Sequence, residues 1–159
     1  MPPDIIKPLG KEVVMHCFVD VDRAGEKLTR HSSSGFIIFL HMAPIYYCSK
    51  RQHTVKTSTL GSEFMAMKLA CEYICGLQYK LRMIRIPFSD SCFVYGDKKS
   101  VLYNTTFPES TLKKNSNSIV YHAVREGVAT GEWLTGYEPM DTNVSDLLTK
   151  TIPGGKRRT

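Results

Sequence analysis

The sequence lacks an apolar run long enough to cross a membrane. Its uninterrupted hydrophobic stretches stay far below the roughly 20 residues that a bilayer-spanning helix needs. The N-terminal segment MPPDIIKPLGKE also lacks the charged-then-apolar layout of a signal peptide. These absences predict an intracellular protein, cytoplasmic or nuclear, with no membrane partner.

Cysteine is present in an odd number, and no two cysteines form a CxxC pair. A disulfide framework or a structural zinc site needs paired cysteines or a matching His pair, and neither pattern is found. Cys71 and Cys75 lie one helical turn apart, but no second pair completes a metal site. We expect reduced thiols, most of them within the core: Cys17, Cys48, Cys71, Cys75 and Cys92.

The length and charge of the chain fit one domain with a polyanionic partner. The 159 residues include 42% hydrophobic residues, enough for a single core. The formal net charge of +6 favours nucleic acid as a partner. We expect a proline-rich leader at residues 1–10, a domain at 11–152 and a basic tail at 153–159.

The first half of the chain predicts three strands and a long helix. A near-continuous apolar run from Val13 to Val19 indicates a central strand covered on both faces and closed by Asp20. Two short strand patterns follow at 35–41 and 45–49, with a turn at 42–44. Apolar residues then recur at helical spacing from 60 to 81, behind an N-cap at Ser58 or Thr59.

The second half predicts two strands and three shorter helices. The run CFVY at 92–95 indicates a buried strand that ends at Asp97 and leads into a short helix from 98 to about 106. A helix is expected at 118–130 and a fifth strand at 132–138. Asn143 is placed to cap a last helix at 144–150.

Four acidic residues stand at the ends of these elements, each with a simpler alternative reading. Asp20 and Asp97 follow buried strands, Glu63 lies in the first turn of the long helix, and Asp146 lies in the last helix. A carboxylate at a strand end needs hydrogen bonds or a cation. Taken singly, Asp20 also fits a turn and Glu63 fits complementation of the helix dipole.

Several local sequences resemble the ribonuclease H domain of Ty1/copia-type retrotransposon polyproteins. The family's DADWAG-like motif appears as DVDRAG, and its RRSTSGYVFFLGGSPISWSSKKQ-like run as TRHSSSGFIIFLHMAPIYYCSKRQ. Segments like SSTEAEYMAL and IYCDNQSAI appear as TSTLGSEFMAMK and VYGDKKSVL. RYHFIREKVESGEI-like and ADILTKPLP-like segments appear as VYHAVREGVATGEW and SDLLTKTIPGG. The match runs from about residue 13 to 154 in the family's order.

The resemblance implies an α/β fold of the RNase H-like type, a five-stranded mixed sheet flanked by helices. It also implies a metal-dependent endoribonuclease that cleaves the RNA strand of RNA/DNA hybrids with two Mg²⁺ ions, for which Mn²⁺ can substitute. Hard divalent ions prefer oxygen ligands, which agrees with an acidic cluster. The implied metal ligands and catalytic residues are Asp20, Glu63, Asp97 and Asp146.

Further roles follow from the same resemblance. Asp146 would lie on a mobile last helix, and His122 is a candidate to assist product release or proton shuffling, with a half-buried helix histidine as its alternative. The other domains of a retroelement polyprotein are expected partners, and a virus-like particle is the expected location of an active element. Contacts with nucleic acid are expected from Ser62, Lys98, Lys99, Lys50 and Arg51.

The sequence departs from the family pattern at positions that bear on activity. The family's Trp, first helix Glu and Asn are replaced by Arg23, Gly61 and Lys98, and its KHID-like run is replaced by NSNS at 115–118. Lys98 puts a cation beside the metal site, where it either competes with metal or grips a phosphate. A domesticated or degenerate module that binds nucleic acid or protein without catalysis therefore stays open. Another nuclease on the same fold also stays open.

Overall fold

The computed structural model describes residues 10–22, 31–53, 59–88, 91–99, 101, 103 and 118–149. Most of the predicted leader, the basic tail and the candidate cap Ser58 lie outside these residues. The described part holds five strands and three uninterrupted helices. They are β1 Met15–Asp22, β2 Ser33–Leu40, β3 Ala43–Arg51, α1 Thr59–Met83, β4 Cys92–Gly96, α2 Ser118–Thr130, β5 Trp133–Tyr137 and α3 Asp146–Thr149.

The five strands form one mixed sheet in the order β3-β2-β1-β4-β5. The first three strands are joined by short connections and pair antiparallel, whereas β1 pairs with β4, and β4 with β5, in parallel. This confirms the predicted mixed sheet with flanking helices. Because β1 and β4 run in the same direction at the centre of the sheet, their carboxyl ends meet at one edge.

One face of the sheet forms the hydrophobic core under α1. Alternate residues of β1 and β2 point to this face, and α1 covers them with its apolar side. The buried residues include Met15, Cys17, Val19, Phe36, Ile38, Phe64, Ala70, Ile74, Val94, Val124 and Trp133. All five cysteines are free, with Cys17, Cys71 and Cys92 buried, as expected of reduced core thiols.

The opposite face of the central strands is covered less completely than expected. Its aromatic side chains are half-buried and pack on one another: the Phe18 ring lies 5.2 Å from Tyr95, and the His16 ring 5.6 Å from Phe93. The apolar run of β1 therefore reflects a core on one side and a stacked aromatic layer on the other.

Several predicted boundaries shift in the structure. The turn between β2 and β3 is at His41 and Met42, with His41 at a φ of 52°, and the last helix has four residues instead of seven. Glu63 lies just past the first turn of α1, which holds no acidic residue. After Asp97, residues 99, 101 and 103 are helical, and the rest of that expected helix lies outside the described residues. No described helix is long and apolar enough to span a membrane.

Candidate functional site

The candidate site lies at the edge of the sheet where the parallel pairing of β1 and β4 ends. The parallel pairing of these strands finishes with Val19 opposite Gly96, so Asp20 and Asp97 each follow the last paired residue. The prediction that Asp20 is the last residue of β1 was wrong, because β1 stays paired with β2 as far as Asp22. The two aspartates therefore occupy equivalent positions on neighbouring strands.

Asp20 is built into the fold by the last helix. Its side chain is almost completely buried, with 1% of its surface exposed. The Thr149 hydroxyl at the end of α3 donates a hydrogen bond to Asp20 Oδ2. A buried carboxylate needs such donors because it has lost its water.

The segment before α3 is fixed to the sheet by Asn143. Its amide nitrogen donates to the Val19 carbonyl at 3.0 Å, while its Oδ1 accepts from the Ser145 backbone N–H at 3.1 Å. The second contact confirms the predicted capping role of Asn143. The side-chain amide of Asn143 therefore does two things: its oxygen caps the helix, and its nitrogen links the helix to β1.

Two residues of the neighbouring strands complete the contact with α3. Ser49 of β3 donates to the Leu148 carbonyl at 2.7 Å. Gly35 of β2, directly opposite Asp20, has no room for a side chain, since an added Cβ would lie 2.7 Å from Thr149 Cγ2. The helix that carries Asp146 is thus closely docked, not loosely attached. Asp146 is its first residue and is partly buried.

Asp97 has a different environment. Its side chain is 4% exposed, and Oδ2 forms an ion pair with Lys98 Nζ at 3.1 Å. Among the residues that the structure describes, no group hydrogen-bonds to the buried Oδ1 atom. A buried carboxylate oxygen without a donor is costly, so this atom is suited to an added donor or cation.

Glu63 reaches the same region from α1. It is 7% exposed and lines a small cleft together with Val19, Gly96 and Lys98. Two further residues, Met67 and Val101, close the apolar side of this cleft. The cleft therefore brings a helix carboxylate to the end of β4 and to the lysine that pairs with Asp97.

A buried polar network holds the start of α1 against the sheet. Gln52 Nε2 lies 2.9 Å from both the Ser34 hydroxyl and the Ser62 carbonyl. The Ser32 and Ser62 hydroxyls are 3.3 Å apart. Because these buried groups are hydrogen-bonded to one another, they position the turn of α1 that precedes Glu63.

The donor chemistry of the site fits a divalent metal, but its present arrangement is incomplete. Carboxylate oxygens are the ligands that Mg²⁺ and Mn²⁺ prefer, and Asp97 Oδ1 is buried and open to a cation. Within the described part of the chain, no three His, Cys, Asp or Glu side chains are arranged to hold a metal ion. The main departure is the Lys98 ammonium, which occupies one oxygen of Asp97.

The residues expected to contact nucleic acid have contrasting environments. Lys50 and Arg51 are exposed on β3, and Lys99 is exposed with its Nζ 4.9 Å from the centre of the Tyr137 ring. Ser62 is completely buried, which indicates a structural role in the network around Gln52. His122 is exposed on α2, so its half-buried alternative does not hold.

Sequence reasoning missed the residues that dock α3 and the start of α1. Thr149 and Gln52 gave no recognisable signal, because their roles depend on which elements meet in space. Asn143 was predicted only as a cap. A glycine within an apolar strand pattern was the one available sign of a close approach at Gly35.

Comparisons of sequence place the chain beside transposon polyproteins. No family model matches. The chain is 27% identical over 148 residues to the retrovirus-related Pol polyprotein from transposon RE1 of Arabidopsis thaliana, across 90% of the chain. It is 24% identical to the corresponding polyprotein from transposon TNT 1-94 of Nicotiana tabacum, across 92% of the chain. The chain spans about a tenth of the length of these relatives.

Comparisons of structure identify the fold. The crystal structure of RNase H1 from Halobacterium salinarum matches with a TM-score of 0.65 at 15% identity, covering 87% of this chain and 95% of that one. LC11-RNase H1, solved in complex with an RNA/DNA hybrid, matches with a TM-score of 0.66 at 13% identity, covering 85% and 93%. The fold of the chain is that of these proteins.

Proposed function

Because the chain is homologous to the Pol polyproteins of copia-type transposons and folds as an RNase H module, we propose that it cleaves the RNA strand of RNA/DNA hybrids. The activity would require a divalent cation, Mg²⁺ or Mn²⁺, and would act inside the cell during reverse transcription. In this proposal the chain is one domain of a longer polyprotein, and the other domains are its partners.

The observation that supports the proposal is the placement of two aspartates directly after the last paired residues of two parallel strands, with Glu63 in the adjacent cleft. Asp20 and Asp97 follow the paired residues Val19 and Gly96, and Glu63 lines the cleft against the same two residues. Burial of the Asp20, Glu63 and Asp97 carboxylates costs free energy unless hydrogen bonds, ion pairs or a cation compensate it. Such carboxylates at one strand edge support a hydrolytic site.

We assign the metal to these acids and to Asp146 at the start of α3. When bound, the two divalent ions would supply activation of a water molecule and neutralisation of charge on the leaving oxygen. Asp20, held by Thr149, would keep a fixed position during the reaction, because its hydrogen bond restricts its rotamer. Asp97 would offer the oxygen that has no donor among the described residues.

A hybrid substrate is supported by charge and by fold. The chain carries a net charge of +6, and Lys50, Arg51 and Lys99 are exposed to contact phosphates. Discrimination for RNA would come from contacts with 2′-hydroxyl groups across the minor groove. A neighbour of the same fold was solved with an RNA/DNA hybrid, which makes this substrate the first to test.

A second candidate is a degenerate module that binds nucleic acid without cutting it. The observation that favours it is the ion pair between Lys98 and Asp97, since a cation already sits where a metal would bind. The absence of a ready metal cluster among the described residues points the same way. Cleavage measurements separate the two candidates.

The test is cleavage of an RNA/DNA hybrid labelled on the RNA strand, with Mg²⁺, with Mn²⁺ and with chelator. Single-stranded RNA and duplex DNA run in parallel, because another nuclease on this fold would cut one of them. We expect cleavage of the hybrid alone, only with metal, and a loss of at least about 100-fold in the Asp97→Asn variant.

Asp141→Asn is the matched control for that variant. Asp141 is exposed in the turn before α3, so its removal changes the net charge equally without touching the site. A folded wild-type protein that leaves the hybrid intact with either metal, while still binding it, would refute the nuclease and leave the binding module.

A further inference from the structure

Lys98 is the one cation that contacts the candidate site directly among the described ion pairs. Its Nζ lies 3.1 Å from Asp97 Oδ2, and only 4% of the Asp97 side chain is exposed. The carboxylate end of the contact is therefore sheltered, whereas the lysine end is 35% exposed and partly screened by solvent. An ammonium in such a position neutralises the charge that would otherwise attract a metal.

The position of Lys98 extends this effect to a second carboxylate. Lys98 lines the cleft that Glu63 and Gly96 also line, at the end of β4. A divalent cation shared by Asp97 and Glu63 would have to enter this cleft. It would meet a like charge on entry and would compete for an oxygen that is already paired.

The Lys98 side chain can also move away from Asp97. Its side chain is 35% exposed, and its long flexible stem allows the ammonium to swing into water or onto a phosphate. By contrast, Asp97 is held by its position directly after β4. The movable partner of the pair is the lysine.

We propose that Lys98 is a tethered counter-ion that occupies Asp97 in the metal-free protein and must be displaced when a divalent cation binds. This inference rests on the proposed assignment of metal to the carboxylates, and it concerns how that site is regulated. The tethered ammonium weakens metal binding at rest. A nucleic-acid phosphate that attracts Lys98 away from Asp97 strengthens it, so metal and nucleic acid bind cooperatively.

The test is the affinity of the isolated chain for Mn²⁺, followed by the paramagnetic resonance signal of the free ion. The variants are Lys98→Met, which keeps the apolar stem, and Lys99→Met, which removes an equal charge from an exposed neighbour. Lys99 stacks on Tyr137 instead of contacting an acid of the site. We expect Lys98→Met to tighten Mn²⁺ binding about tenfold and Lys99→Met to change it by less than about twofold.

Thermal unfolding supplies a second readout and a check of folding. Without its counter-ion, Asp97 destabilises the metal-free Lys98→Met variant, and Mn²⁺ should raise its unfolding midpoint more than that of wild type. Equal Mn²⁺ affinities for the two variants, weaker binding by Lys98→Met, or no Mn²⁺ binding by any folded form would each overturn the proposal.

Cooperativity is measured with a nucleic acid that no RNase H activity consumes, a short DNA duplex. Its presence should tighten Mn²⁺ binding in wild type and should have a smaller effect in Lys98→Met. The two proposals can fail separately. If the protein cleaves the hybrid but Lys98→Met and Lys99→Met bind Mn²⁺ equally well, only the proposed role of Lys98 is wrong. If Lys98→Met binds Mn²⁺ more tightly but no form of the protein cleaves the hybrid, only the proposed nuclease activity is wrong.

Discussion

The two aspartates at the ends of β1 and β4 occupy matching positions but are stabilised in different ways. Asp20 accepts a hydrogen bond from Thr149, on a helix that is docked against three strands. Asp97 has a flexible lysine on one oxygen and, within the described residues, no donor on the other. The fold has therefore fixed one carboxylate internally and left the other to be completed by a cation.

This difference divides the site into a part fixed by packing, around Asp20, and a part set by one neighbouring side chain, around Asp97. The Asp20 side depends on packing between elements far apart in sequence, which a single substitution disrupts. The Asp97 side depends on one neighbouring residue, Lys98, whose replacement changes the charge of the site without changing the sheet. The predictions below test each side separately in protein freed of metal.

The largest effect is expected from a side chain at Gly35, beneath α3. An added Cβ would lie 2.7 Å from Thr149 Cγ2 and 3.0 Å from Leu148 Cβ, so Gly35→Ala must push the helix away from Asp20. We expect a loss of about 3 kcal/mol in the free energy of unfolding by urea, at the upper end of the usual cost of overpacking. Gly76→Ala in α1 is the control, because nothing lies within 4 Å of its added Cβ. It should gain up to about 1 kcal/mol from helix propensity. Equal stability of Gly35→Ala and wild type would show that α3 is not closely docked.

The next effect distinguishes the aspartates directly. Asp20→Ala leaves the Thr149 hydroxyl without its acceptor and should cost about 1–3 kcal/mol of stability in the presence of chelator. Asp97→Ala removes a buried oxygen that lacks a donor and breaks an ion pair whose lysine is 35% exposed. Screening of that lysine keeps the cost within about 1 kcal/mol. Similar losses in the two variants, measured by urea unfolding, would contradict the comparison.

A smaller effect is expected at Asn143, which links α3 to β1. Asn143→Ala removes both the cap of Ser145 and the hydrogen bond to the Val19 carbonyl, and it should cost about 1–2 kcal/mol. Thr142→Ala is the adjacent control, since the Thr142 hydroxyl makes an exposed contact with Pro139. Its change should stay within about 0.5 kcal/mol. If both variants unfold at the same urea concentration, neither the cap nor the link to β1 made by Asn143 stabilises the protein.

Most of the fold was predictable because hydrophobic periodicity is a local property. The short apolar run of β2 and the helical spacing from Leu60 to Leu81 identify their elements without knowledge of partners. The family motifs then supplied the topology and the four acids, and the comparisons bear out that resemblance.

The remainder of the site depends on contacts that no local pattern encodes. Thr149 donates to a residue 129 positions away, and Gln52 joins β2 to α1 through two hydrogen bonds. The burial of Ser62 follows from that network and could not be read from the helix motif alone. Lys98 was recognisable from sequence as a cation beside an acid, but its pairing with Asp97 required the structure.

The smallest effect tests whether the contrast is confined to the strand ends. Farther along the same strands, β1 and β4 each carry a buried thiol. Burial raises the pKa of Cys92 to about 12 and raises the pKa of Cys17 well above its usual value, with the neighbouring thiols adding to the shift. Between about pH 9 and the folded pKa, the folded protein keeps these protons while the unfolded chain releases them. Stability should therefore fall as pH rises, by up to about 1.4 kcal/mol per pH unit for each thiol.

Urea unfolding at about pH 8 and about pH 10 measures this slope for wild type, Cys17→Ala and Cys92→Ala. Each variant should flatten the slope, and by a similar amount, because both thiols are completely buried on adjacent strands. Cys75→Ala, which alters an exposed thiol, should flatten it less. Unequal slopes for Cys17→Ala and Cys92→Ala would show that β1 and β4 also differ within the core. Lys98 alone would then not account for the different environments of Asp20 and Asp97. Equal slopes would confine the difference between the two strands to the residues that follow Val19 and Gly96. There Asp20 contacts the docked helix α3, whereas Asp97 pairs with the flexible side chain of Lys98.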